Sequence, residues 1–122
     1  EEQPLITAHS AYYHGIHCTS KHHASWHADT YCPARTNGKP LFYGHMHTMQ
    51  TFTSANGCKA QCTGFLGDER SLAYTQGRPT PWVHGLVVQE VSGTSMSSQD
   101  VIIKDGQTIF RDKVILAGTG NG

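Results

Sequence analysis

The 122 residues are enough for one domain around a single hydrophobic core and too few to expect two. Nine Lys plus Arg balance nine Asp plus Glu, giving a formal charge of zero at pH 7 and a pI near 7.3, which leaves no electrostatic footprint for nucleic acid or anionic lipid at neutral pH. With 37% hydrophobic residues and no stretch approaching the ~20 apolar residues of a membrane helix, a membrane span is excluded and a soluble chain is expected.

In chain order, Leu5 to Tyr13 reads as a strand, and Ser20 to Tyr31 is the best helical segment, with Ser20 as N-cap and Cys32-Pro33 as its stop. From Leu41 onward the pattern is strand-like. Leu41-Phe42-Tyr43 is followed by an extended run from His45 to Thr53, which the turn signal Asn56-Gly57 closes. Ser71 to Thr75 and Trp82 to Val91 are further strands. Val101 to Lys104 and Gln107 to Phe110 flank Asp105-Gly106, a dipeptide that tolerates the positive φ angles of a type I′ hairpin turn. Val114 to Leu116 adds another strand, Gly93 to Gln99 is polar and aperiodic and reads as an exposed loop, and Ala117 to Gly122 reads as a frayed end. The expected architecture is mostly β, a single-domain β-sandwich or small β-barrel with one short helix near the N-terminus. Residues 1–35 form its irregular or helical His- and Cys-rich segment, 36–117 its β-rich core and 118–122 a flexible tail.

Four cysteines, Cys18, Cys32, Cys58 and Cys62, make an even set in a small domain, the pattern of two disulfides in an oxidising compartment. Their spacings, including the C-x3-C of Cys58 and Cys62, do not match the short ligand spacings of a structural zinc site. Three pairings are open. The absence of a basic region followed by an apolar region at the N-terminus fits a mature secreted chain.

Eight of the nine histidines fall within the first 47 residues: His9, His14, His17, His22, His23, His27, His45 and His47. Neutral imidazole ligates transition metals and gains charge just below neutral pH, so the cluster points to a metal site or a pH-responsive surface. If all nine were protonated, the formal charge would rise from zero to +9. On a strand, His45 and His47 would share one face and form a half-site; on a helix, His23 and His27 at i and i+4 form a second.

His45-x-His47 with Gln50 and Gly57, followed by Pro79-Thr80-Pro81-Trp82-Val83-His84-Gly85, resembles the two metal-binding motifs of the cupin family over about a third of the chain. The resemblance implies a three-imidazole site of His45, His47 and His84 holding Zn²⁺ or Cu²⁺, with open positions for substrate. Gln50 stands where a cupin glutamate is expected, and Pro81 replaces the usual glycine.

No G-x-S-x-G, papain-like cysteine context or H-E-x-x-H is present, and no Gly-rich phosphate loop with a following Lys, so nucleotide binding is not expected. His84, Glu90 and Arg111 on one β-face would offer the base, acid and phosphate clamp of a secreted ribonuclease. Tyr12, Tyr13, Trp26, Tyr31, Phe42, Tyr43, Trp82 and Phe110 are candidates for a binding surface, with Trp82 the first to assign to the core. In size, composition and cysteine use the chain is similar to small cysteine-containing proteins that microbes secrete as effectors or toxins. The expectation is a secreted, extracellular, monomeric binding protein whose partner is a protein or glycan outside the producing cell; a cupin-like metal enzyme and a hydrolase are the alternatives.

Overall fold

The computed structural model describes residues 2–19, 21–66 and 82–117. The expected Ser20 N-cap, the 71–75 strand, the Pro-rich part of the second cupin-like motif and the 118–122 tail lie outside the described residues. Among the described residues the protein is mostly strands with one short helix, its strands divided among several sheets with no closed barrel.

The central sheet has five strands in the order β1-β2-β3-β5-β4: β1 Leu5–Ile6, β2 Ala11–Tyr13, β3 Leu41–Tyr43, β4 Met49–Thr53 and β5 Lys59–Thr63. β2 runs parallel to β3, and β3 parallel to β5. Parallel neighbours need a crossover, and the helix supplies it between β2 and β3. The sheet is therefore mixed, unlike the antiparallel sheets of a sandwich.

The helix runs from Ala24 to Arg35 as an α turn, Ala24–Trp26, a π-helical turn, His27–Tyr31, and a second α turn, Cys32–Arg35. It begins later than expected, with His23 as N-cap, and passes through Pro33 instead of stopping there. A proline ring normally collides with the carbonyl four residues back and removes a helical donor. Here the preceding turn is widened: the Cys32 N–H bonds to the His27 carbonyl, five residues back, so the ladder has already changed register when Pro33 arrives.

One face of the sheet packs on this helix. Register partners Tyr13, Tyr43, Cys62 and Gln50 form one row on that face, and Ala11, Leu41, Ala60 and Phe52 the next. The buried cluster consists of Ala11, Ala28, Cys32, Leu41, Tyr43, Cys58, Ala60 and Cys62. Leu41 and Tyr43 are the large members of this cluster, and Phe42 and Val101 are buried outside it.

The opposite face carries Tyr12, Phe42 and Gln61 and is covered by the hairpin of β6 Gly85–Ser92 and β7 Ser95–Ile102. Tyr12 bonds Gln89, Gln61 donates to Asp100 at 2.6 Å, and Ser10 donates to the Met96 sulfur at 2.9 Å. The segment expected as a 93–99 loop is thus mostly strand: Gly93-Thr94 makes the turn, and Met96 and Ser98 alternate inward with exposed Ser95, Ser97 and Gln99. A full backbone ladder with β6 compensates for its lack of apolar residues.

Asp105 and Gly106 both adopt positive φ, as the sequence predicts, yet the strands they join diverge after the single Lys104–Gln107 bridge. β8 Gln107–Phe110 pairs instead with β9 Lys113–Leu116 through Arg111 and Asp112. The expected strand from His45 to Thr53 survives only from Met49. His45 and His47 take φ of 66° and 61°, so the chain turns there.

Candidate functional site

At the N-terminal edge of the helix layer, Tyr13, Trp26 and Tyr31 wall a cavity of about 320 Å³, to which Glu2, His17, Cys18, His22, Thr30, Ala34 and Arg35 contribute. Tyr13 is placed by β2, Trp26 and Tyr31 by successive turns of the helix, and Cys18 by the segment between. Tyr13 and Tyr31 stack with centroids 4.6 Å apart, and His22 meets Trp26 edge-on at 4.3 Å. The volume suits one small-molecule unit.

His27 forms the floor behind Tyr13. It is fully buried and lies flat against Tyr43, 3.8 Å between centroids. Its Nδ1 is 3.0 Å from the His23 carbonyl, which can only accept, so Nδ1 carries the proton. Nε2 then accepts from the Tyr13 hydroxyl at 2.6 Å. The Cys18 thiol sits 3.4 Å from Tyr13 Oη and 3.5 Å from His27 Nε2, completing a relay from Cys18 through Tyr13 and His27 to a backbone carbonyl.

Every group in this relay is held neutral. Burial drives His27 down to about 4, and repulsion from His22 adds to this, outweighing the carbonyl bond that favours the charged form. Burial raises Tyr13, with Cys18 adding to the effect. Burial also raises Cys18, and Glu2 and Cys62 raise it further against the opposing hydrogen bond from Tyr13. A thiol nucleophile needs thiolate character, and this environment withholds it. The relay orients side chains and does not activate them.

At the cavity mouth, Glu2 accepts three backbone N–H bonds, from His14 at 2.7 Å, Gly15 at 2.9 Å and Ile16 at 3.1 Å. Desolvation raises its carboxyl, but these bonds and the His14 charge prevail and hold it below the usual range. The short N-terminal segment is thereby fastened over the 14–16 turn.

The histidine sites expected from spacing are arranged otherwise. His45 turns to His14, Nδ1 to Nε2 at 3.2 Å. His47 is stacked on Phe65 at 4.4 Å and abuts Trp82 at 4.6 Å; burial lowers it, helped by His45 and His14. His84 makes its own ring contact with Phe65 at 6.4 Å. The positive φ angles at His45 and His47 remove the alternation that would have aimed both rings at one point. His27 has both nitrogens engaged, which closes the His23–His27 half-site. Among the described residues no group of three or more His, Cys, Asp or Glu side chains is placed to hold a metal ion.

The ribonuclease arrangement separates as well. Glu90 pairs with Arg111 at 2.8 Å on the exposed surface, while His84, six residues earlier, lies about 20 Å away along an extended strand. Trp82 is partly buried beside His47 and Phe65 and stands outside the core cluster. The aromatic trio of the cavity was visible among the sequence's candidate binding residues; Glu2, Cys18 and Arg35 were not, because only the fold brings them to it. In comparisons with protein-family models, curated proteins and solved structures, the chain matches none.

Proposed function

We propose that the chain is a small secreted binding protein whose helix-side cavity takes a single sugar unit of an extracellular glycan. The observation that carries this reading is the mixed lining of the cavity. Tyr13, Trp26 and Tyr31 line it with aromatic rings, whose negative quadrupole suits the C–H face of a pyranose, and Thr30, His17 and His22 add polar side chains that suit hydroxyls. The neutral relay behind Tyr13 supports binding over catalysis, since it fixes a ring without supplying a charged acid or base. Binding rather than metal or hydrolytic chemistry also accords with the dispersed histidines. Secretion is supported by the even cysteine set.

The test is a glycan-array screen followed by calorimetric titration of the sugars retained. A retained sugar should lose roughly tenfold or more in affinity with Trp26→Ala, because one stacked ring contributes about 1–2 kcal/mol. Glu90→Gln, far from the cavity, should leave affinity unchanged. Retention of no glycan, or unchanged affinity in Trp26→Ala, would defeat the reading and direct attention to a protein partner.

A further inference from the structure

We infer that the four cysteines form two nested disulfides, Cys18–Cys62 and Cys32–Cys58, one fastening the wall of the cavity to the sheet and the other fastening the helix to the sheet. All four cysteines are free thiols in the structure, so the relay described above belongs to the reduced protein, and oxidation would take Cys18 out of it while leaving the Tyr13–His27 bond. Cysteine count alone allows three pairings, and the sheet geometry separates them.

Cys58 immediately precedes β5 and Cys62 lies within it, with three residues between them, and Ser54 N–H still bonds the Cys58 carbonyl, so Cys58 continues the β4–β5 ladder. At a strand rise of about 3.3 Å per residue their Cα atoms are about 13 Å apart, beyond the ~7 Å that a disulfide spans. The pairing that joins them is therefore excluded. The same 13 Å offset distinguishes the remaining two.

Cys62 shares its row with Tyr43 and Tyr13, and Cys18 lies against Tyr13, 3.4 Å from its hydroxyl. His27, whose Nε2 is 3.5 Å from Cys18 Sγ, lies flat against Tyr43, the register partner of Cys62. At the other end of β5, Cys32 Sγ donates to the carbonyl of Lys59, the residue after Cys58, at 3.6 Å. Cys32 and Cys58 are both in the buried cluster. Joining Cys18 to Cys58, or Cys32 to Cys62, would require each partner to travel the length of the strand.

Each bridge forms by exchange with an oxidised small disulfide such as glutathione disulfide. One protein thiolate attacks it, releasing one glutathione and leaving a mixed disulfide; the second protein thiolate displaces the second glutathione. Two thiols become one S–S bond, glutathione disulfide is reduced to two glutathiones, and the two thiol protons are taken up by the departing thiolates.

Trypsin resolves the question, because it places each cysteine on its own peptide: Cys18 on 1–21, Cys32 on 22–35, Cys58 on 36–59 (Pro40 blocks cleavage after Lys39) and Cys62 on 60–70. The native protein is equilibrated with glutathione disulfide, alkylated and digested without reductant, and its peptides are weighed. Peptides 1–21 joined to 60–70, and 22–35 joined to 36–59, are expected. Peptide 1–21 joined to 36–59, or four alkylated thiols, overturns the proposal. Two double variants give an independent reading: after the same oxidation, Cys18→Ser with Cys62→Ser should leave no titratable thiol, whereas Cys18→Ser with Cys32→Ser should leave two. The reverse result overturns the pairing, and the wild-type peptide map decides should either variant fail to fold.

Discussion

His27 has no access to water and no free nitrogen, so its neutral form is built into the fold. Its folded value of about 4 lies below the ordinary 6.5, and the unfolded chain therefore binds a proton that the folded chain refuses. Stability is complete above pH ~6.5 and declines as the pH falls toward 4, by about 3 kcal/mol for this one group. Urea unfolding at pH 7 and pH 4 should show that decline in the wild type, and His27→Phe should lose about that share of it. An equal pH dependence in the two proteins would mean that His27 is not held neutral. Tyr13→Phe tests the neighbouring bond: it strands a buried Nε2 acceptor, at an expected loss of about 1–3 kcal/mol at pH 7, measured in the same assay.

The elements of the β-rich part were legible where side-chain pattern and turn chemistry agree, as in Leu41–Tyr43, the Asn56-Gly57 turn and the Val114–Leu116 strand. Pattern failed where backbone pairing decides. Ser95 to Asp100 has almost no apolar signal and becomes a strand because β6 lies beside it, and Asp105-Gly106 makes its turn while the strands find other partners. The expected strand–helix–strand order at the N-terminus already carried the crossover that makes β2 and β3 parallel, which the sandwich-or-barrel expectation did not draw out. For the site, Trp26 and Tyr31 were candidates as aromatic residues, but five positions apart they would lie about 140° apart on a regular α-helix, and both line the cavity in a helix widened by the π turn of His27–Tyr31; the Glu2 contacts depend on three backbone N–H groups whose orientation no side-chain pattern records. The sheet-to-hairpin junction is tested at two positions. Gln61 is buried and bonds Asp100, so Gln61→Leu should cost about 1–2 kcal/mol. At Gly85 an added Cβ would lie 2.6 Å from the Val101 carbonyl oxygen, so Gly85→Ala must spread β6 from β7, at about 1–3 kcal/mol. Denaturant titrations that leave both variants at the wild-type midpoint would show that the hairpin is not locked to the sheet.

At the scale of the molecule, the cluster between helix and sheet has six Ala or Cys residues among its eight members, and covalent links are the usual supplement in small domains. The inferred bridges close loops of roughly 45 and 27 residues. In the chain-entropy description each restricts the unfolded chain by about 3–4 kcal/mol, more than any single contact described above. They differ in exposure: Cys18 is partly exposed at the cavity wall, while Cys32, Cys58 and Cys62 are buried. Exchange requires an external thiolate to reach a sulfur, so access sets the order of reduction. Under a limiting concentration of dithiothreitol at pH 8, timed alkylation should mark Cys18 and Cys62 together before Cys32 and Cys58. The first step should lower the unfolding free energy measured in urea by about 3–4 kcal/mol, and because it frees the segment carrying Cys18, it should weaken sugar binding at the cavity before the helix detaches. Simultaneous appearance of all four thiols would instead mean that opening is global, with the helix and the cavity wall released as one cooperative unit.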